Sequence, residues 1–518
     1  MKKQYLINYP IGTFFFVYFL VIAFFCNAQG FQFLETYFIS DKLQLLLSND
    51  DRTLEILYFT YPVISQFASF PVALVDPINA PVVTSAMGVA MFATYVITKL
   101  FNLKYKFLSI VATLYFLTSP LVILLATSGT SHYLFFILYF IILNFMFTYL
   151  RQFTVSNFVL MSLTLTIFIF LDYRFIWITV FMIPLILLLG FFSTQQDETS
   201  FISKFKRETR NKESSKKLIG WFSSTVIIVA FTPVMGLLAY LAINKSFTGD
   251  FFFFDNSFVT QWDKRQLINP DEYNFSPARS SNALRTANSF QSVLYLSPLF
   301  LSIFLLGRKK ILFQISMLLA PVWLLFLNTH YNSGLPPLKD LLILSATGMA
   351  ACIHLFQTKL SSIFKRSRSL NLVIIFLFGL TMIGEFNYFN HKENLYDMKI
   401  IEFYKYQNNN ELKEYNDIAD YIKNNITKES KILADNSIFY PVSAITRPSV
   451  NYIDQFKDTF PQALQAPAIF SDYILVTNSN LNIHEKDQLR AVVKNNHDIL
   501  RLVYTNNRFS LFKINQIK

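Results

Sequence analysis

Five carboxylates, Glu35, Asp41, Asp50, Asp51 and Glu55, fall within one stretch, Gly30 to Val75, and the aromatic-proline step Tyr61-Pro62 follows them. The stretch separates two apolar runs long enough to cross a bilayer. A carboxylate held at such a place can take the proton of an attacking hydroxyl. Asp41 opens a run in which Leu43, Leu46 and Leu47 can share one helical face, so the spacing predicts its carboxylate at a helix N-terminus, where negative charge is favoured. Asp41 is therefore the candidate base, with Asp50 and Asp51 as alternatives and Glu55 and Tyr61 as further polar candidates of the same loop. The competing reading of each acid is a solvated loop residue or a helix cap.

Positive charge comes from later polar segments. The 244–290 loop carries DFFFFDN and then Arg265, Arg279 and Arg285, and the segment THYNSGLPPLKD offers His330, Tyr331 and Lys339 directly before another apolar run. Lys339 and His330 can meet an anionic headgroup, whereas a Lys339-Asp340 pair that snorkels to water is the plainer alternative. Carboxylates in the first polar loop and cations in the later ones suit transfer of a sugar from a lipid phosphate. A carboxylate removes the acceptor proton while the cations, or a metal ion, offset charge building on the departing phosphate. A single in-line displacement of that kind inverts the anomeric centre and needs no covalent nucleophile.

These loops need a frame, and the composition specifies one. Of 518 residues, 53% are hydrophobic and only 15% are charged, with 58 Phe and 27 Tyr, which is the composition of a membrane protein. Apolar runs recur near 11–28, 80–98, 107–126, 133–150, 154–171, 175–193, 218–243, 291–307, 311–328, 338–357 and 370–388, about eleven spans by length. The run after MKKQYLINYP is long enough to be a retained first helix rather than a signal peptide. Lys2-Lys3, Lys99/Lys104/Lys106, Arg151, the run Lys204 to Lys217, Arg308-Lys309-Lys310 and Lys359/Lys365/Arg366/Arg368 fall at alternate loops. Every one lies on the side of the N-terminus, so the expectation is a cytoplasmic N-terminus, outer loops at 30–78, 244–290 and 329–337, and an extracytoplasmic C-terminal segment.

The net charge of +12 is thereby explained by topology, without nucleic acid. Cys26 and Cys352, the only cysteines, lie in apolar runs, which leaves neither a disulfide framework nor a cysteine metal site. No Walker loop or Rossmann glycine fingerprint is present, which argues against a nucleotide-driven pump. Asp172, Arg174 and Glu385 are the ionisable residues nearest the ends of spans, where solvated roles compete with functional ones.

From about Asn409 the composition becomes that of a soluble domain. Leu412, Tyr415, Ile418, Ala419 and Ile422 stand at helical spacing, KILA and DYILVT read as strands, HEKDQLRAVVKN as a helix, and ILRLVYT and RFSLFKI as closing strands around Asn506-Asn507. The expected architecture is thus an α-helical multi-pass module over 1–388 and a small α/β domain over 389–518 that has no catalytic constellation of its own.

The stretch from Ile11 to about Phe192 resembles the N-terminal part of the GT-C superfamily of membrane glycosyltransferases, the group that includes protein O-mannosyltransferases and aminoarabinose transferases. The residues that carry the resemblance are SDKLQLLLSNDD, FTYPVISQF, the small-residue span NAPVVTSAMGVAMFATYVITKLFNLKYK and YFLTSPLVILLATSGTSH. Further on, THYNSGLPPLKD resembles the segment where related enzymes meet the lipid-linked donor. The resemblance implies an inverting transferase in the cytoplasmic membrane of a bacterium. It would use a polyprenyl-phosphate sugar to modify a glycan, lipid or protein acceptor on the outer face.

The resemblance also places the family's catalytic aspartate on Asp41, where many members have Asp-Glu and this chain has Asp41-Lys42. His132 stands where a second acid is frequent. Dependence on a divalent metal ion is left open, since neighbouring aspartates at a loop tip are poor evidence for one. Two other classes share the layout: a polysaccharide polymerase or ligase, and a non-enzymatic envelope transporter or scaffold.

Overall fold

The computed structural model describes residues 2–28, 33–48, 56, 60, 63–102, 106–152, 154–180, 182, 212–257, 296–306, 338–357, 368–390, 413–447, 449–478 and 487–515. The helical module contains α1 (Lys2–Ala28), α2 (Leu34–Leu47), α3 (Val63–Ala73), α4 (Ala80–Asn102), α5 (Lys106–Thr118), α6 (Pro120–Thr127), α7 (His132–Gln152), α8 (Val155–Leu171), α9 (Lys212–Thr248), α10 (Leu338–Gln357) and α11 (Arg368–Asn390). Among the described residues five helices are long and apolar enough to cross a membrane, and six if α5 and α6 form one bent span. Of the other expected runs, 311–328 lies outside the described residues, and Pro298–Leu306 forms a 3-10 helix.

On α1, Phe15, Phe19, Ala23 and Cys26 face inward, while Phe14, Val17, Val21 and Phe24 are exposed. A helix apolar on both its inner and outer faces is suited to lipid outside and protein inside. The phenylalanines that crowd the sequence fill the interior edge to face: Phe92 meets Phe116, Phe136 and Phe140 with ring centroids 5.9, 5.2 and 4.9 Å away.

One expected span, 107–126, is broken. Proline at the first position of α6 has no N–H to continue α5, and Ser119 before it takes an extended conformation and caps α6 by accepting the Val122 N–H at 3.1 Å. The two halves meet at 60°. Glu385 of α11 fixes the break, accepting from the Tyr115 hydroxyl at 2.7 Å and the Ser119 hydroxyl at 2.5 Å.

The expected helix start at Asp41 requires correction, because α2 begins at Leu34 and Asp41 lies well inside it. Phe33 at the cap position supplies no side-chain cap. Packing accounts for the earlier start, since twelve of the fourteen residues of α2 are buried. Ile39, Leu43 and Leu46 pack with Ala73, Ala80 and Phe456, while Tyr37 and Phe38 pack with Tyr440 and Ala444. The first polar segment therefore contains a helix clamped between the helical module and the C-terminal domain.

That domain is a five-stranded sheet of order β2-β1-β3-β5-β4, made of β1 (Lys431–Ala434), β2 (Asn451–Ile453), β3 (Tyr473–Thr477), β4 (Leu500–Thr505) and β5 (Phe509–Ile514). β1 runs parallel to β2 and β3, and β5 is antiparallel to β3 and β4. Side chains alternate across the sheet. Ile432, Ala434, Leu475 and Leu511 pack against α12 (Lys413–Asn425) and α13 (Asn436–Thr446), whereas Leu433, Ile474, Val476 and Ile514 pack against α14 (Gln488–Asn495). The expected strands KILA, YILVT, LRLVYT and FSLFKI are present, and α13 is an addition to the expected elements.

Candidate active site

Two polar clusters hang from α2. The first surrounds Asp41, which is fully buried. Its Oδ1 accepts the Ser443 hydroxyl at 2.6 Å and the Arg447 Nε–H and Nη2–H at 3.2 and 3.1 Å; its Oδ2 accepts the Asn436 amide at 2.8 Å and Lys42 Nζ at 3.3 Å. Arg447 also donates to Asp454 at 2.8 Å, and Lys42 donates to Asn436 Oδ1. Lys42 Nζ sits over the rings of Phe38 and Phe456, 5.0 and 4.2 Å from the centroids. Two acids and two bases are thus closed inside the joint between α2 and α13, and the C-terminal domain provides Asn436, Ser443, Arg447 and Asp454.

Burial pushes the Asp41 carboxyl up, but Arg447, Lys42 and the Ser443 and Asn436 hydrogen bonds outweigh it and hold the group below its ordinary value of 3.8. Burial pulls Lys42 below the ordinary lysine value despite Asp41 and Asp454. Burial opposes the charge on Arg447 as well, yet Asp41 and Asp454 overcome it and raise its pKa. Because the pKa of Asp41 is lowered by folding, its contribution to the joint is complete above the unfolded value and is lost as pH falls through the folded one. The protection of the α13 amides, taken as their exchange rate relative to the intrinsic rate at the same pH, is expected to be high at pH 6 and to fall as pH drops below about 4. Protection at pH 3 equal to that at pH 6 would show that Asp41 does not hold the joint.

The second cluster gathers around the turn Ser128 to His132. Glu35, one residue into α2, is 1% exposed, and its Oε1 accepts the Ser131 N–H at 2.9 Å. The neighbouring Thr36 hydroxyl donates to the Ser128 carbonyl. Within the turn, Ser128 and Thr130 hydroxyls lie 2.8 Å apart, and Thr130 Oγ1 lies 2.7 Å from His132 Nδ1, which leaves Nε2 as the ring's other hydrogen-bonding atom. Lys339, at the start of α10, lies 5.1 Å above the ring of Phe135, three residues after His132, and pairs loosely with Asp172 at 3.9 Å. A buried carboxylate, a histidine and a lysine-aspartate pair therefore share one end of the helical module.

Gly129 holds this turn against α2. Its φ of 68° lies in the left-handed region, and an added Cβ would come within 2.9 Å of Thr36 Cγ2 and 3.0 Å of the Val82 backbone nitrogen. Gly129→Ala is expected to lower stability by about 1–3 kcal/mol and to shift Glu35 with Thr36, visible as a lower thermal midpoint in nanodiscs. An unchanged midpoint would mean that the turn relaxes without moving α2.

Of the residues singled out by sequence, Asp41, His132 and Lys339 are described. Asp50, Asp51, Glu55, Tyr61, Arg279, Arg285, His330 and Tyr331 lie outside the described residues. His132 and Lys339 come together, whereas Asp41 is enclosed by Lys42 and Arg447 instead. Glu35 and Asp172, noted in the sequence without a site role, belong to the second cluster. The signal for Glu35 was its place in the first polar stretch, directly before TYFIS. Among the described residues there is no group of three His, Cys, Asp or Glu side chains arranged to hold a metal ion.

No family model matches the chain, and none of the curated proteins matches it. Among solved structures the chain is similar to the crystal structure of ArnT from Cupriavidus metallidurans bound to undecaprenyl phosphate. That likeness has 11% identity and a TM-score of 0.48 and covers 96% of this chain and 97% of that one. The apo form of the same protein gives 11% identity and a TM-score of 0.47 over 92% and 93% of the two chains.

Proposed function

We propose that this chain is an integral-membrane, inverting glycosyltransferase of the GT-C kind. It moves a sugar from a polyprenyl-phosphate donor to an acceptor hydroxyl at the outer face of the cytoplasmic membrane. The observation that carries the reading is that the 128–132 turn is bonded to Glu35 at Ser131 and carries His132, while the Lys339-Asp172 pair reaches the same end of α7 over Phe135. We place the base at Glu35, whose carboxylate holds the turn that carries His132, and give Asp41 a positioning role, because the donors around Asp41 all belong to the domain joint.

In the proposed reaction the acceptor oxygen attacks the anomeric carbon and the bond from that carbon to the phosphate oxygen breaks. The acceptor proton passes to Glu35, and the electron pair leaves on polyprenyl phosphate. Lys339, released from its long contact with Asp172, neutralises the charge that grows on the departing phosphate, and His132 Nε2 adds a hydrogen bond to it. The acceptor is a glycan, lipid or protein hydroxyl. The C-terminal domain faces the same compartment, as the lysine and arginine distribution of the loops implies.

The test is consumption of radiolabelled polyprenyl-phosphate sugars by membranes containing the chain. Free polyprenyl phosphate and a product of inverted configuration are expected, and Lys339→Met is expected to slow the reaction by about 10²-fold or more. A product that retains configuration, or no donor consumption with any polyprenyl-phosphate sugar, overturns the reading.

A further inference from the structure

Helix α3 is turned inside out for a helix at the edge of a protein. Its exposed face is apolar, with Phe67 48%, Phe70 37% and Leu74 64% exposed, while Ser65, Gln66 and Ser69 face inward. That exposed face suits contact with lipid, and α3 packs beside α2 and α4. Gln66 is 1% exposed, yet among the described residues neither its amide nitrogen nor its amide oxygen has a hydrogen-bond partner, and the buried Ser65 hydroxyl has none either. Buried polar groups are nearly always bonded, so two adjacent side chains with three unmet atoms mark a candidate binding position.

We infer that the inward face of α3, through Ser65 and Gln66, is a subsite for the hydroxyl groups of the carrier-linked sugar. The chemistry of the face selects that class. Val63, Ser65, Gln66, Ser69 and Ala73, its buried residues, carry no charge, which disfavours a phosphate, a carboxylate or a metal ion as the occupant. An amide that both donates and accepts, next to a hydroxyl, matches the paired donor and acceptor character of a sugar's vicinal hydroxyls.

Position supports the same occupant. One turn earlier, Val63 packs on Tyr240 and Phe254 with Phe170 and Tyr173 around them, so the polar face of α3 adjoins an aromatic cluster. At the other end of α3, Val72 and Ala73 pack against Ile39 and Leu43 of α2, the helix that carries Glu35. The lipid-facing Phe67, Phe70 and Leu74 put the subsite at the boundary that a lipid-linked donor must cross. The inference rests on the proposed use of such a donor and adds the residues that read its sugar.

The experiment compares binding of farnesyl phosphate with that of farnesyl-phosphate-linked glucose, mannose and N-acetylglucosamine to the full chain in nanodiscs, by calorimetry. At least one sugar-bearing probe is expected to bind about tenfold tighter than farnesyl phosphate, the advantage of one or two well-made hydrogen bonds. Gln66→Met, close in volume and apolar, is expected to erase that margin and leave farnesyl phosphate affinity unchanged; Ser65→Ala is expected to reduce it. No margin in the wild-type chain, or a margin that survives both substitutions, overturns the subsite. The latter result would leave the inward polar face to ordered water.

Donor transfer measured alongside separates the two readings. A Gln66-dependent margin without transfer removes the enzyme and keeps the subsite, and transfer without the margin does the reverse.

Discussion

Glu35→Gln is expected to lower the rate of sugar transfer by about 10²–10⁴-fold, the range typical of losing a general base. The substitution is chosen because it separates chemistry from architecture. Glutamine keeps the length of the side chain and an oxygen that can still accept the Ser131 N–H, so the contact at 2.9 Å that ties α2 to the 128–132 turn can remain. What it removes is the ability to take a proton from the acceptor. The loss should therefore appear in kcat, with little change in donor KM and an unchanged thermal midpoint. Equal loss in Asp41→Asn with no change in stability, together with an active Glu35→Gln, would return the base to Asp41 and sink the assignment.

The contrast between these two acids shows what a sequence can and cannot specify. Composition and run length placed α1, α4, α7, α9 and α11, because a 30 Å hydrocarbon layer demands roughly twenty apolar residues whatever lies around them. Short apolar runs between polar segments likewise placed β1, β3, β4 and β5. The register of α2 was not legible. Its start at Leu34 depends on packing by both the helical module and α13, elements far away in the chain, and no cap residue announces it.

Asp41 looked catalytic because it heads the leucine run. Its partners Asn436, Ser443 and Arg447 stand about four hundred residues later, and no local pattern links them to it. The break at Ser119-Pro120 was foreshadowed by the serine-proline step itself, but its tie to Glu385 needed the fold.

The charges around Asp41 give the second large effect, this time on stability. The joint holds two carboxylates, Asp41 and Asp454, against Lys42 and Arg447, so it is neutral as built. Asp41→Leu leaves two cations facing one acid inside the protein, and removing one partner of a buried network costs about 3–5 kcal/mol. The C-terminal domain is expected to loosen from α2, with a lower thermal midpoint and rapid exchange of the α13 amides. Adding Lys42→Met restores the balance, because Arg447 and Asp454 remain as a pair at 2.8 Å and no surplus charge is buried. The double variant should therefore be more stable than Asp41→Leu alone, a coupling opposite in sign to two independent losses. If the two substitutions simply add, Lys42 does not depend on Asp41 and the joint is held by apolar contacts such as Phe38 on Tyr440. Recovery of transfer together with the joint would also show that Asp41 acts through position alone, whereas a recovered joint with no transfer would give the Asp41 carboxylate a part in the chemistry.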